Sequence, residues 1–308
     1  MVERNETVVQ NRKKMKHKIS HMALKEERAA WFFLAPALGL LLLFVFIPMI
    51  NAIWISLHSW DLLNEMEWVG IDNYLSLVKD EDWFQTLGRT FLYSACYVPA
   101  LYVMSLLLAL LVKHITKGTG IYRTGYFMPI ILSSVVTGII WKMMLNDRSG
   151  MINNLLDILF DIRIPWLSST DWAIKAVLIV NVWQQMGYYM VVFLAGLQDI
   201  PFSYYEAAKI DGANGWQIFW RITLPNLKNT SLFVIVMTLI GSFQAYDQIA
   251  MLTDGGPAGS TTLSVQYIYE TAFSNYNMGY AAALALNLFV IILVFSLLQF
   301  KLVREEKN

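Results

Sequence analysis

The side chains able to hold a solute gather in two apolar stretches of this 308-residue chain. In the first, Asn181, Gln184, Gln185 and Tyr188 recur at i, i+3, i+4 and i+7, which is one face of a helix. In the second, Thr238, Ser242, Gln244, Tyr246, Asp247 and Gln248 interrupt an otherwise apolar run. Asn287 stands alone in a third. Left unpaired in hydrocarbon, such groups cost roughly 2–7 kcal/mol each. Either they bond to one another between helices, worth about 0.6–2 kcal/mol per contact, or together they line a path for a neutral, polyhydroxylated solute. Amides and hydroxyls donate and accept as sugar hydroxyls do, and aromatic faces suit the apolar faces of sugar rings.

These residues offer no bond-breaking chemistry. No nucleophile–base pair stands out, and there is no G-x-x-x-x-G-K-[ST] phosphate loop, so the chain is not expected to hydrolyse ATP itself. His17, His21, His58 and His114 are scattered and Cys96 is the single cysteine, so no disulfide and no metal site are expected. Asp247 is the one carboxylate in the two polar stretches, too few for a proton relay. Lys+Arg and Asp+Glu balance at 23 each, and no basic excess points to nucleic acid.

Composition sets the kind of helix that carries this cluster. Hydrophobic residues make up 56% and charged residues 15%, against roughly 25% charged in soluble domains. A helix needs about 20 apolar residues to cross a bilayer, and six segments qualify: about 31–56, 90–112, 124–145, 176–198, 229–252 and 280–300. The class is all-α, a polytopic membrane protein with six transmembrane helices. Segments 1–30, 113–123, 198–228 and 301–308 carry 17 basic and 9 acidic residues; 57–89, 146–172 and 253–280 carry 4 and 13. The excess of Lys and Arg places both termini in the cytoplasm. The basic segment 1–30 and the tail 301–308 then flank a permease domain of residues 31–300. The first apolar run exceeds a signal-peptide core and is read as a retained helix, and Arg12, Lys13, Lys14, Lys16 and Lys18 before it face solvent or lipid headgroups.

Residues 199–228 connect spans four and five on that cytoplasmic face. Ser203 and Glu206 have the spacing of a capping box and predict a helix starting near Ser203. Ala207 and Ala208 permit close approach, and Gly212 can take a positive φ and end the helix. A second helix over about 213–223 follows, and Pro225 opens span five. Ile210, Trp216, Ile218, Phe219, Ile222 and Leu224 predict an apolar docking face.

Glu206-Ala207-Ala208, Asp211-Gly212 and Ile222-x-Leu224-Pro225 resemble the EAA signature of ATP-binding-cassette (ABC) importer permeases. Further stretches are similar to binding-protein-dependent carbohydrate permeases of the MalF-like kind: Trp68 to Tyr74, Tyr122-Arg123 with Pro129 and Ser133-Ser134, Trp141, Thr253 to Pro257 with Thr261, and Tyr269 to Phe273. The likeness covers about residues 30–300.

The resemblance implies a MetI-like ABC importer permease core in a bacterial inner or plasma membrane. It implies a second homologous permease subunit, two ABC ATPase subunits that bind ATP and Mg, and an extracytoplasmic sugar-binding protein. Glu206, Ala207, Ala208, Asp211, Gly212, Leu224 and Pro225 then couple the chain to the ATPase. Gln184, Gln185, Tyr188, Thr238, Ser242, Gln244, Tyr246 and Asp247 form the substrate pathway, with Tyr188 stacking on the sugar and Gln244 standing in for Ala245, which cannot hydrogen-bond. Trp60, Trp68, Trp83 and Asp80-Glu81-Asp82 are read as interface or binding-protein contacts, or, for the acids, as plain surface. Alternatives are an ABC permease for another solute, an ion-coupled transporter acting alone, or a membrane scaffold.

Overall fold

In the computed structural model, residues 25–113 and 118–305 are described; Arg12 to Lys18, His114 and the last three residues lie outside them. Among the described residues four single helices are long and apolar enough to cross a membrane: α1 (Lys25–Ser56), α3 (Glu81–Lys113), α7 (Thr170–Gln198) and α13 (Met278–Glu305). Two bent pairs bring the number to six, and α2 (Asp72–Lys79), α6 (Met151–Phe160) and α12 (Ser264–Tyr269) are shorter helices between them. The pairs are α4 (Thr119–Ile131) with α5 (Ser134–Met144), bent by 96°, and α9 (Gly215–Asn226) with α10 (Lys228–Phe243), bent by 68°. The expected all-α polytopic architecture is present. The only sheet among the described residues pairs His58–Ser59 with Glu67–Trp68.

Two spans differ from expectation. The third is not one helix over 124–145, because Leu132 and Ser133 are extended between α4 and α5. The fifth does not run unbroken to residue 252. Helix α10 stops at Phe243, Tyr246 takes φ −144°, and a separate short helix, α11 (Asp247–Leu252), begins with Asp247 in its first turn. An acidic first turn suits a fresh helix N-terminus. Non-helical backbone at membrane depth persists only where protein or a water-lined cavity satisfies it, and at Leu132 the buried amide of Gln184 supplies that partner.

The core lies between α3 and α7, where Leu101, Ala109, Ala176, Val177, Val180, Met190 and Phe193 are buried. Lipid is as apolar as these side chains, so close packing rather than hydrophobicity holds the helices together. Gly187 shows how close: a Cβ there would sit 1.8 Å from the Tyr126 carbonyl oxygen of α4. Helix α1 is exposed along its apolar length, from Phe32 and Phe33 to Ile53, as a lipid- or partner-facing helix must be.

At the opposite end from the 199–228 loop, Asp80 joins three elements. The Tyr267 hydroxyl donates to Asp80 Oδ2 at 2.8 Å and the Tyr280 hydroxyl donates to the same oxygen, while the Trp83 amide donates to Oδ1 at 2.9 Å. Burial alone would raise the Asp80 pKa; the hydrogen bonds from Tyr280, Trp83 and Tyr267 outweigh it and hold the carboxyl below its usual value. Trp83 is fully buried and its Nε1 donates to Asn287 Oδ1 at 3.3 Å. The placing of Trp83 at a partner surface is therefore corrected, since it is an internal tie; Asp80 is half-buried. Glu81, Asp82 and Trp68 remain exposed.

Candidate functional site

The break after α10 and the first residue of α5 both line a polar cavity of about 260 Å3. Gln185 and Tyr189 reach it from α7, with Asn181 one turn earlier. Thr238 and Gly241 contribute from α10, and Gln244 to Gln248 from the break that follows. Tyr93 and Tyr97, one turn apart on α3, close the third side with rings stacked at 5.4 Å and 13°. Ser134 enters from the start of α5.

The walls are held by hydrogen bonds. Asn181 Nδ2 donates to the Tyr93 hydroxyl at 2.8 Å. Thr238 Oγ1 donates to the backbone carbonyls of Val234, at 2.8 Å, and Ile235, at 3.1 Å, so its proton is shared within its own helix. Gln185, Gln244 and Asp247 are not fully buried, which leaves amides and a carboxylate turned to the opening. Among the described residues no Lys or Arg lines the cavity. Its equipment is that of a site that bonds hydroxyl groups and stacks on rings.

Of the eight residues expected in the pathway, five line this cavity: Gln185, Thr238, Gln244, Tyr246 and Asp247. Three do not. Gln184 is buried and fully engaged: its Nε2 donates to the Leu132 carbonyl at 3.1 Å and to Thr137 Oγ1 at 3.3 Å, and its Oε1 accepts from Gln248. Ser242 is buried against Ser94, with hydroxyl oxygens 2.6 Å apart. Tyr188 points away, and its neighbour Tyr189 takes the place. Both interhelical bonding and cavity lining are thus realised, by different members of the cluster. The tyrosines of α3 were missed; their i, i+4 spacing in an apolar run was the available signal.

The 199–228 loop forms two helices, α8 (Phe202–Ile210) and α9. Gly212 between them has φ +76°, and its amide donates to the Lys209 carbonyl at 3.1 Å. The predicted Ser203–Glu206 capping box is absent: Pro201 is the N-cap and no side chain caps the helix. Asn214 and Gln217 instead make a reciprocal box at the start of α9, at 2.8 and 2.9 Å. Glu206, Ala207, Asp211 and Pro225 are exposed and Ala208 is half-buried. The apolar face divides in two. Ile210 is 86% and Trp216 71% exposed, whereas Phe219 and Leu224 pack inward on the core.

Residues 74–307 match the family described as "Binding-protein-dependent transport system inner membrane component". The chain is 34% identical over 276 residues to the multiple sugar-binding transport system permease protein MsmF of Streptococcus mutans, covering 89% of this chain and 95% of that protein. It is 31% identical over 293 residues to the trehalose/maltose transport system permease protein MalF of Thermococcus litoralis, covering 94% and 98%. Its fold is similar to a chain in the crystal structure of a bacterial ABC transporter that imports the acidic polysaccharide alginate, with TM-score 0.80, 24% identity and coverage of 92% and 98%.

Proposed function

Since the chain belongs to the binding-protein-dependent transport system inner membrane components, we propose that it is one of two permease subunits of an ATP-driven importer whose solute is a neutral sugar or oligosaccharide. The polar cavity at the fifth-span break carries this reading, because it joins stacked tyrosines, amides and one carboxylate with no basic side chain among the described residues. The names of the similar sugar permeases support it. An extracytoplasmic binding protein delivers the sugar, and a second, homologous permease subunit completes the pathway. Two ABC ATPase subunits supply ATP, Mg and hydrolysis from outside this chain.

The coupling follows from the connectivity. Helix α8, with Glu206 and Ala207 exposed and Ala208 half-buried, docks on the ATPase. Gly212 turns the chain into α9, which is seated on the core by Phe219 and Leu224. At the buried Leu227, α9 bends into α10, whose far end carries Thr238 and the break at Gln244 to Tyr246. A push on α8 therefore tilts a lever whose other end forms the cavity wall, and this is the movement that alternating access requires. Both termini, by the charge pattern, lie on the ATPase side.

Purification of the tagged chain in mild detergent with its neighbours tests this. A second permease and an ATPase should co-purify, and ATP hydrolysis should rise with the binding protein and its sugar. A chain recovered alone or as a homo-oligomer after cross-linking, without ATPase, would overturn the reading.

A further inference from the structure

Beside the 199–228 loop lies a second cavity, of about 840 Å3, walled by α8, α9 and the ends of α3 and α7. Leu110, Leu197, Ile200 and Phe219 give it apolar walls. Among the described residues its charged lining is Lys113 and Lys209, with no acidic side chain. Lys113 is held in place: its Nζ lies 4.4 Å from the centre of the Tyr205 ring and donates to the Tyr205 hydroxyl at 3.3 Å. Lys209 stands one turn beyond Tyr205 on α8, so the two lysines share one rim. Lys113 ends α3 and Gln198 ends α7, so the opening sits where two spanning helices leave the hydrocarbon.

An apolar cavity with a doubly basic rim at that depth has the amphipathic pattern of one ligand class. We propose that it holds an anionic phospholipid, an acyl chain against the apolar walls and the phosphate between Lys113 and Lys209. The lysine stems reach along the walls while their ammonium groups meet the headgroup layer. That layer is enriched in anionic lipid on the face where this chain concentrates its Lys and Arg. A lipid seated there would brace α8 against the ends of α3 and α7, and so make coupling depend on lipid composition.

The test is native mass spectrometry of the complete transporter, ATPase included, released from nanodiscs of phosphatidylglycerol and phosphatidylcholine in equal amounts. Retention of phosphatidylglycerol over phosphatidylcholine on the order of tenfold is expected. The ratio should fall towards one in the double variant Lys113→Gln, Lys209→Gln and persist in Lys113→Arg, Lys209→Arg. A photo-reactive side chain at Leu110 should cross-link lipid. Equal retention in the unaltered protein, unchanged selectivity in the glutamine variant, or cross-linking of Leu110 to the ATPase or to the chain's own tail would each overturn the proposal. None of these results depends on which solute is carried.

Discussion

The side-chain amide of Gln248 donates to that of Gln184, and this bond ties the break in the fifth span to the break in the third. Through its other end Gln184 supplies the Leu132 carbonyl, which has left the helical ladder. A buried group stranded without its partner costs about 1–3 kcal/mol. Gln184→Leu strands both the Leu132 carbonyl and the Gln248 amide, so the assembled transporter should melt several degrees lower. Gln248→Leu alone should cost less, and the double variant less than the sum, with a coupling energy of about 0.5–3 kcal/mol. Thermal unfolding of the purified complex measures all three; strictly additive losses would show that the two amides do not act as a unit.

Gly187 gives a packing test with an internal control. A methyl group there would lie 1.8 Å from the Tyr126 carbonyl oxygen, which is backbone and cannot swing aside. Gly187→Ala should force α4 and α7 apart and sharply reduce the yield of monodisperse complex in size-exclusion chromatography. Gly125 has nothing within 4 Å of the same ideal position, so Gly125→Ala should be tolerated. Equal yields would mean that the helices do not meet this closely.

Run length and composition make the spans legible, because partition into lipid sums over about 20 residues. They do not mark the breaks. Neither Leu132-Ser133 nor Gln244 to Tyr246 contains Gly or Pro, and what stabilises Leu132 comes from a different helix 52 positions away. Helical phase was equally two-valued: from Asn181 and Gln185, one more turn reaches Tyr188 or Tyr189. The rotation of α7 decides between them, and it is set by the contact of Gly187 with Tyr126, which periodicity within one helix does not contain. The positive φ at Gly212 was readable because glycine carries it at little cost. The Ser203–Glu206 box was misread, since Pro201 already fixes where α8 begins.

Asp80 makes a pH prediction whose sign follows from its environment. Its folded pKa lies below the value of an unfolded aspartate, because Tyr280, Trp83 and Tyr267 donate to the carboxylate more than burial disfavours it. The stability it contributes is present above the unfolded value of about 4 and is lost as pH falls through the folded one. Unfolding temperatures from neutral pH down to about 3 should drop more steeply for the native protein than for Asp80→Asn, which cannot ionise. Parallel curves would show that the carboxylate charge is not what the two tyrosines bind.

Gly212→Pro should separate energy use from transport. Proline's φ is near −65°, against +76° here, and it removes the amide that donates to Lys209. The turn between α8 and α9 is exposed, so the membrane core should still assemble. Sugar uptake should fall by about tenfold or more, a loss of at least about 1.4 kcal/mol in coupling, while the complex still purifies with its ATPase. Gly212→Asn, which tolerates the left-handed conformation, should keep most activity. Normal uptake with proline would remove this loop from the coupling route.

Tyr188 and Tyr189 decide whether the cavity is the path of the solute. They are neighbours in sequence with rings in contact at 5.0 Å, yet Tyr189 lines the cavity and Tyr188 does not. Tyr189→Ala removes a ring that could stack on a sugar and also leaves a void in the core, so Tyr189→Leu is the better probe because it keeps apolar volume. It should raise the KM for uptake or lower kcat/KM by about tenfold, equivalent to about 1.4 kcal/mol, with little change in melting temperature. Tyr188→Leu should change uptake by no more than about twofold, within the range of an exposed substitution of about 0.5 kcal/mol. The reverse ranking would return the pathway to the i+7 phase of α7 and place the sugar against the partner subunit, on the outward side of this helix.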